Sequence, residues 1–307
     1  PIIVRISDFG YICPEAHLLR NNKICDLCTK GNFWYSVKYR CVQGSFLLSF
    51  VHLLSILLHK QLKILEKIDA FICPSMFTLE KMVQSGFERR KLFYIPTFIN
   101  SKKISPKFIP GNYILYFGRI SHEKGISILL DAFEKLKRRS SKLSIPLYIV
   151  GKFYSKEDER LKKRIYFNGN KHVKILGELE KNEIYQIIRN AAFIVVPSIW
   201  YENMPNVILE SFSFGKTVVG SRIGSIPELV KHGETGLLFE PADTDDLAEK
   251  MKWMIDHPKE CWRMGQNARR LIEKEYNPEL HYKRIMEVFK NILRRNDKYI
   301  NYGSSRI

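Results

Sequence analysis

Residues 113–118 read YILYFG, and after a polar loop the chain continues as ISILLDAFEKL at 126–136. The first run is short, apolar and aromatic, whereas the second repeats its apolar residues at the spacing of one helix face. The same alternation of strand and helix patterns runs on through PLYIVG, VKILG, EIYQIIRNAA, FIVVPS, TVVGS and TGLLFE. This repetition predicts an α/β fold with a doubly wound parallel sheet, whose ligand site lies at the carboxyl ends of the strands.

The chain before Tyr113 shows fewer such elements. One strand is predicted over residues 2–6 and another over 70–73, and the segment 96–112, with three prolines, predicts a linker. A doubly wound domain needs more than the roughly 110 residues found here. Because the chain opens directly on an apolar run without an initiator Met, we expect this N-terminal domain to be incomplete.

The composition bounds the class of protein. A length of 307 residues predicts two domains, since one domain usually has roughly 100–150. The chain carries 50 Lys and Arg against 32 Asp and Glu, a net charge of +18, which favours anionic partners such as nucleotide diphosphates or lipid headgroups. No nucleic-acid-binding module is recognisable, so no nucleic acid is expected as a partner. Six cysteines without a secretory leader predict a reducing compartment, and we expect a cytoplasmic location.

The longest apolar run, FLLSFVHLLSILL at residues 46–58, has two interpretations. It is shorter than the ~20 residues that cross a bilayer, so it does not predict a transmembrane helix. It fits a buried or partly buried helix. It also fits a helix that lies on a membrane surface with the help of Lys60, Lys63 and Lys67, which would make the protein peripheral on the inner face of a membrane.

The loop GRISHEKG at residues 118–125 joins the first strand and the first helix of the repeating pattern. Gly118 lets the backbone approach an anion closely. Arg119 and Lys124 can offset, without a metal, the charge that builds on a departing nucleoside diphosphate. A solvated basic loop is the other interpretation of this segment.

The segment PSIWYENMPNVILE at residues 197–210 follows an apolar strand and starts a helix near Pro205, a residue favoured in the first helical turn. Glu202 precedes this helix, and Glu210 inside it can accept hydrogen bonds from hydroxyl groups. Backbone amides at the helix start predict an anion site. These amides belong to Met204, Asn206 and Val207. Two unrelated surface carboxylates are the alternative interpretation of the glutamates.

In this context the second half of the chain resembles the retaining glycosyltransferases of family 4. The family has the GT-B fold, in which two Rossmann-like doubly wound domains face a cleft. The likeness covers about residues 70–293 and includes CPS at 73–75. The positions that carry it are Gly118-Arg119, Glu123-Lys124-Gly125, the paired glutamates Glu202 and Glu210, GKTVV at 215–219, Gly224, Pro227, Glu228, Gly233 and Gly236.

The resemblance implies roles for residues of this sequence. Arg119 and Lys124 would hold the donor diphosphate, Glu210 the ribose hydroxyls, and Glu202 the transferred sugar or its leaving oxygen. The loop from Gly177 to Leu179 would lie near the nucleobase. The implied catalytic residues are Glu202, Arg119 and Lys124. The implied donor site comprises Gly118, Arg119, Lys124, Gly177, Leu179, Glu202, Asn203, Met204, Pro205, Asn206, Val207 and Glu210.

The N-terminal strand also resembles the family, where it ends in His-Asp followed by an aromatic residue near the sugar. Here the strand ends in Ser7, Asp8 and Phe9. Asp8 is the expected acceptor-side residue. Because Ser7 replaces the histidine, acceptor chemistry that differs in this subgroup is an alternative to a proton carrier at this position.

Four cysteines lie close together in the N-terminal part of the sequence, with one Cys-x-x-Cys pair among them. They are Cys13, Cys25, Cys28 and Cys41. Four thiolates could hold a structural zinc ion or an iron–sulfur cluster. Free thiols that pack as small apolar groups are the alternative.

We therefore expect the chain to have three structural regions and one enzymatic activity. Residues 1–110 form a partial acceptor-side domain with the cysteine-containing loop and the linker, 111–275 form a Rossmann-like domain that binds a nucleotide sugar, and 276–307 form a helix and tail that pack back on the N-terminal domain. The predicted activity is metal-independent, retaining transfer from a UDP-, GDP- or ADP-sugar to a saccharide or lipid-linked saccharide in cell-surface glycan synthesis. A nucleotide-sugar isomerase of the same fold and a degenerate binding or scaffold protein are the alternatives.

Overall fold

The computed structural model describes residues 1–139, 145–153, 161–163 and 172–303. Unit 1 consists of Pro1–Thr97 with Pro278–Ile307, and unit 2 is Phe98–Asn277. The boundary after Thr97 lies before the one expected at residue 110. The reason is that the intervening segment is bonded to unit 2: Ile99 donates its backbone N–H to Tyr276, and Lys107 donates to Phe214.

Unit 1 is built on a small parallel sheet. Its strands in the described ranges are β1 Ile3–Arg5, β2 Leu19–Arg20, β3 Lys23–Ile24, β4 Ala70–Cys73 and β5 Leu92–Tyr94. Strands β1, β4 and β5 pair in parallel with β4 at the centre, whereas β2 and β3 form an antiparallel pair. The predicted strands at residues 2–6 and 70–73 are confirmed. Strand β5 carries no sequence signal because three residues are too few for an apolar period to show.

Residues 1–97 of unit 1 also contain three α-helices, two between β3 and β4 and one between β4 and β5. They are α1 Trp34–Lys38, α2 Phe46–Gln61 and α3 Met76–Gln84. Ser45 caps α2 by accepting the N–H of Leu48, and Ser75 caps α3 by accepting the N–H of Thr78. None of the helices in the described part of the chain is both long and apolar enough to span a membrane.

Unit 2 is built on a larger parallel sheet. Its strands are β6 Ile114–Phe117, β7 Leu147–Val150, β8 Val173–Gly177, β9 Phe193–Val196, β10 Val218–Ser221 and β11 Gly236–Phe239. They pair in parallel in the order β11, β10, β9, β6, β7, β8. Each strand falls inside one of the apolar runs of the sequence, so the predicted parallel sheet is confirmed.

Both faces of this sheet are buried. Along β6, Ile114 and Tyr116 belong to one apolar core, whereas Leu115 and Phe117 belong to the other. Successive side chains of a strand point to opposite faces, so the two cores lie on the two sides of the sheet. This is the doubly wound arrangement that the uninterrupted apolar strands predict.

Helices cover the two faces. Within the described residues of unit 2, the helices with defined bounds are α4 Ile126–Arg139, α5 Lys181–Asn190, α6 Asn206–Ser213, α7 Ile226–Leu229, α8 Thr244–Asp256 and α9 Pro258–Glu275. The last helix, α10 Pro278–Gly303, belongs to unit 1. There Val288 and Ile292 pack against the sheet residues Ala70 and Ile72.

Candidate active site

Two loops that follow neighbouring strands of unit 2 carry most of the predicted site residues. Residues 118–125 follow β6, residues 197–205 follow β9, and these two strands pair in parallel. Both loops therefore leave the sheet at its carboxyl edge, where ligands of such sheets bind. Lys124 of the first loop and Glu202 of the second are in contact there.

Glu202 is the most constrained side chain of this edge. It is only 6% exposed, and its Oε1 accepts three hydrogen bonds. The donors are Lys124 Nζ at 2.7 Å, Ser198 Oγ at 2.6 Å and Trp200 Nε1 at 2.9 Å. Burial raises the pKa of this carboxyl, but the charge of Lys124 and the three donors outweigh burial, so the pKa lies below its ordinary value. Glu202 is therefore a fixed, ionised carboxylate.

Backbone contacts hold the two loops against each other. Gly125 has a φ of +71°, and a Cβ at this position would lie 1.7 Å from the carbonyl oxygen of Pro197. Nearby, Ile199 donates its N–H to the carbonyl of Glu123 at 3.0 Å. Because the backbones touch where glycine has no side chain, the Lys124 and Glu202 side chains reach each other without rearrangement.

Arg119 lies at the more open side of the same loop. Its guanidinium is 3.8 Å from Glu123 Oε1 and 5.6 Å from the centre of the Trp200 ring, while the Lys124 ammonium is 4.9 Å from that ring. A cation near an aromatic face gains modest electrostatic stabilisation and keeps its charge. The side chain of Arg119 is 47% exposed, so the charge is available to a ligand from solvent.

The helix α6 begins immediately after the second loop. Pro205 is its N-cap, and the backbone of Asn206 and Val207 forms the first turn. The first N–H groups of a helix have no acceptor within the helix, and the helix dipole places partial positive charge there. Asn206 is exposed, whereas Met204 and Val207 pack against the core of unit 2.

The second glutamate, Glu210, lies in the second turn of α6 and is partly buried. Burial raises the pKa of its carboxyl, and the charge of Lys181 on α5 opposes that effect. Glu202 and Glu210 thus differ in the direction of their pKa shifts, although they belong to one sequence motif. The Glu202 carboxyl is held ionised, whereas the Glu210 carboxyl is easier to protonate. Such a difference is expected of two carboxyls that have separate roles.

The remaining predicted donor residues have varied surroundings. Gly177 ends β8 with a φ of +72°, and its carbonyl accepts the N–H of Gly151. Leu179 packs against the core of unit 2, and Asn203 is partly buried. A role of Gly177 and Leu179 at the nucleobase stays a prediction.

The predicted acceptor-side residue lies in unit 1. Asp8 is exposed, and its carboxylate accepts the N–H of Gly10 at 2.8 Å, which closes a local turn. This contact fixes the carboxylate but does not identify a ligand. The role of Asp8 stays a prediction.

The four N-terminal cysteines affect one another electrostatically. Burial, with smaller contributions from nearby Cys13, Cys41 and Cys25, raises the pKa of Cys28 to about 12. Cys13 and Cys28 are buried, which also fits thiols packed as small apolar groups. Within the described residues, no group of three or more His, Cys, Asp or Glu has an arrangement that could hold a metal ion. The structural metal site stays a prediction, which metal analysis of the purified protein would decide.

Two partners of Glu202 carry no signal of their own in the sequence. Ser198 and Trp200 lie four and two residues before Glu202, in the segment that contains the paired glutamates. Their donation to one carboxylate oxygen depends on the turn that follows β9, which a residue pattern does not specify. Lys181, whose charge lowers the pKa of Glu210, lies on α5, and its proximity to Glu210 could not be predicted from the sequence.

The fold of unit 2 and the charged loops at its carboxyl edge define a Rossmann-like α/β protein, a class whose ligands bind at this edge. The chain belongs to the family described as glycosyl transferases group 1, because the model of that family matches residues 98–271. The match covers most of unit 2.

Curated relatives agree with the family. An uncharacterised glycosyltransferase of Methanocaldococcus jannaschii is 29% identical over 206 residues, which are 67% of this chain and 55% of the relative. The lipopolysaccharide 1,2-N-acetylglucosaminetransferase of Salmonella typhimurium is 30% identical over 186 residues, 58% of this chain and 48% of the relative. The matches thus span about half the length of these relatives.

Solved structures agree with the fold. The Anabaena protein HepE in complex with UDP and glucose superposes with a TM-score of 0.65 at 22% identity, over 73% of this chain and 64% of that chain. Sucrose-phosphate synthase of Thermosynechococcus elongatus has a TM-score of 0.67 at 23% identity, over 76% of this chain and 60% of that chain. The predicted GT-B fold is confirmed by these likenesses.

Proposed function

We propose that the chain carries the donor site of a retaining glycosyltransferase that works without a catalytic metal. The donor is a UDP-, GDP- or ADP-sugar, and the acceptor is a saccharide or lipid-linked saccharide of cell-surface glycan synthesis. The relative named for lipopolysaccharide and the neighbour bound to UDP and glucose support these classes. The observation that carries the proposal is the Lys124–Glu202 pair beside Arg119 at the carboxyl edge of unit 2.

In this proposal the donor diphosphate binds between the first turn of α6 and the two cations of the first loop. The amides of that turn and the positive end of the helix dipole favour an anion. Arg119 and Lys124 supply the positive charge that a departing diphosphate requires, a task that Mg²⁺ performs in many enzymes of phosphorylated substrates. Two cations in one loop therefore support a mechanism without a divalent ion.

Glu202 acts on the sugar side of this arrangement. Three donors already occupy its Oε1, and its pKa is lowered, so the carboxylate is a weak nucleophile. We therefore favour attack by the acceptor on the same face as the departing phosphate, whose oxygen takes the acceptor proton. Glu202 fixes Lys124 and contacts the transferred sugar or its leaving oxygen, and Asp8 contributes to the acceptor side.

The proposal is tested by calorimetric titration of the purified chain with UDP, GDP, ADP and their common sugar conjugates, in the presence of EDTA. We expect one nucleotide to bind saturably. Arg119→Ala is expected to weaken that binding roughly ten- to a hundredfold, because a charge-assisted contact to phosphate contributes about 1.5–3 kcal/mol.

A matched control for this variant is Arg263→Ala. Arg263 is 46% exposed, pairs with Glu260 on α9, and belongs to no part of the proposed site. Its replacement should leave the affinity unchanged. Failure of every nucleotide to bind a folded sample would overturn the proposal, and so would equal affinity of Arg119→Ala and the native chain.

Glu210 gives a prediction about pH. If its carboxylate accepts hydrogen bonds from ribose, protonation removes a charge-assisted acceptor, and the raised pKa brings this loss nearer to neutral pH. We expect affinity for a nucleotide sugar to fall as the pH is lowered from neutral to mildly acidic. Glu210→Gln should bind roughly tenfold more weakly at neutral pH and lack this decline. Titration across pH with a nucleotide sugar is suitable because its diphosphate diester does not itself titrate there, and an unchanged pH profile in Glu210→Gln would contradict the assignment.

A further inference from the structure

Helix α2 leaves most of its apolar side chains uncovered. Its buried residues are only Ser49 and Leu53. The exposed apolar residues of the helix are Phe46, Leu47, Leu48, Val51, Leu54, Leu57 and Leu58, and Leu62 continues the set just after its end. A helix normally buries its apolar stripe, so this exposed set is a surface open to contact with a membrane, a second copy or another part of the protein. We call these eight residues the α2 face.

The α2 face is continuous. At 100° per residue, the positions from Phe46 to Leu62 cover about half of the helix circumference, and Ser49 and Leu53 fall on the opposite side. The side of α2 that packs on the rest of unit 1 is therefore narrower than the exposed side. The helix is thus partly buried and exposes its wider apolar side, which agrees with a partly buried helix and leaves a surface that a membrane could contact.

An exposed tryptophan borders the α2 face. Trp34 of α1 is 58% exposed, and its ring centre is 6.3 Å from that of Phe50. Phe50 in turn stacks with Phe46, at 6.4 Å between ring centres. Tryptophan and phenylalanine beside a leucine-rich surface are typical of segments that lie at the boundary between lipid headgroups and acyl chains.

The sequence interval that contains α2 carries charge of one sign. No Asp or Glu occurs between Asp26 and Glu66. The basic residues of that interval are Lys30, Lys38, Arg40, Lys60 and Lys63. Lys60 and Lys63, at the carboxyl end of α2, are exposed, and Lys63 Nζ lies 3.8 Å from Glu66 Oε2 in an exposed ion pair. Such a segment is complementary to an anionic surface, and each basic residue near one adds to the attraction.

The same helix borders a pocket of about 610 Å³ in unit 1. Apolar residues such as Tyr11, Phe33 and Phe87 line it together with basic residues, among them His59 and Lys60 of α2, and with Glu66 and Glu88. His52 also lines the pocket, and its Nδ1 is buried without a hydrogen-bond partner among the described residues. An apolar pocket with charged groups at its border and an unused polar atom suits an amphiphile with a polar headgroup.

We propose that the α2 face docks unit 1 on an anionic lipid bilayer. The helix has 16 residues and rises only ~24 Å, so it lies in the interface between headgroups and acyl chains instead of crossing it. This inference rests on the proposed function only for the membrane setting of the acceptor. The α2 face is the surface of the chain that contacts the bilayer.

The test is flotation of the full chain with vesicles of equimolar phosphatidylglycerol and phosphatidylcholine, compared with vesicles of phosphatidylcholine alone. We expect flotation with the anionic vesicles only, weakened by added salt. Leu47→Glu with Leu54→Glu should reduce binding roughly ten- to a hundredfold, since two large apolar groups are replaced by charges that anionic lipid repels. Lys60→Glu with Lys63→Glu should remove the preference for anionic lipid.

The control variant is Ile109→Glu in unit 2. Ile109 is 68% exposed and Leu47 67%, so each change introduces an equally exposed charge, and Ile109→Glu should float like the native chain. Nucleotide titration of all variants separates this inference from the proposed function, because the α2 variants should keep the native nucleotide affinity. Two results would overturn it: no flotation of the native chain, or unimpaired flotation of the Leu47 and Leu54 variant. A dimer in light scattering that the same variant dissociates, without vesicle binding, would instead assign the α2 face to a second copy of the chain.

Discussion

Replacement of Glu202 by Gln is expected to lower the turnover of the nucleotide sugar by roughly a hundred- to a thousandfold, the range for loss of one fixed electrostatic group in an active site. The change keeps the shape of the side chain but removes its charge. Lys124 then faces a neutral acceptor, and the proposed contact with the transferred sugar loses its ionised partner. Donor affinity should change much less, because the diphosphate is held by Arg119, Lys124 and the first turn of α6.

The measurement is a comparison of kcat and of nucleotide affinity for the native chain and Glu202→Gln, with sugar release or transfer as the readout. Asp246→Asn is the control, since Asp246 is a partly buried carboxylate that pairs with Lys250 on α8, outside the proposed site. Thermal unfolding of both variants detects any loss of folded protein. Native turnover in a folded Glu202→Gln sample would rule out the role given to this carboxylate.

The ionisation of Glu202 also makes the stability of the fold depend on pH in a predictable direction. Because its folded pKa lies below the ordinary value of 4.5, the ionised carboxylate contributes stability above that value. The contribution is lost as the pH falls through the lowered folded pKa. The native chain should therefore lose stability in acid more steeply than Glu202→Gln, although the variant is less stable at neutral pH.

Gly125→Ala is expected to destabilise unit 2 by about 4 kcal/mol or more, which would lower the unfolding midpoint by roughly 10 °C. The new Cβ would lie 1.7 Å from the carbonyl oxygen of Pro197, so the two loops of the site must separate. The left-handed φ of +71° adds a smaller cost of about 1–2 kcal/mol. Nucleotide binding should weaken together with stability, since separation of the loops moves Lys124 away from Glu202.

Comparison with Gly233→Ala separates the effect of the clash at Gly125 from the effect of its left-handed backbone conformation. Gly233 has a φ of +76°, and a Cβ there would meet nothing within 4 Å. It should therefore show only the smaller cost of the left-handed conformation. Calorimetric unfolding of the two variants measures the difference, and equal midpoints would show that the loops do not touch at Gly125.

The architecture of unit 2 was largely predictable from the sequence. Its strands are buried on both faces, so each is a complete apolar run such as ILYF in β6, and glycines and polar residues mark the loops. The site loops were identifiable because Arg119, Lys124, Glu202 and Glu210 lie in segments that follow predicted strands. The roles proposed for these residues come from the resemblance to a family, since spacing alone implies none.

Other features required the fold. The three donors on Glu202 Oε1 depend on the turn after β9, and the opposite pKa shifts of Glu202 and Glu210 depend on what each side chain packs against. The exposure of α2 was not predictable, because the same apolar run fits a buried helix equally well. Strand β5 is only three residues long, and its place beside β4 became evident from pairing.

The contact between Lys124 and Glu202 means that Lys124 has a counter-ion from its own chain. A small anion such as sulfate or inorganic phosphate would have to compete with a carboxylate that is covalently part of the same site, and it could reach few other groups in return. A nucleotide diphosphate brings two phosphates, a ribose and a base, so it gains enough contacts to share Lys124. In the proposed donor site, the pair would therefore disfavour the binding of simple anions relative to a nucleotide sugar.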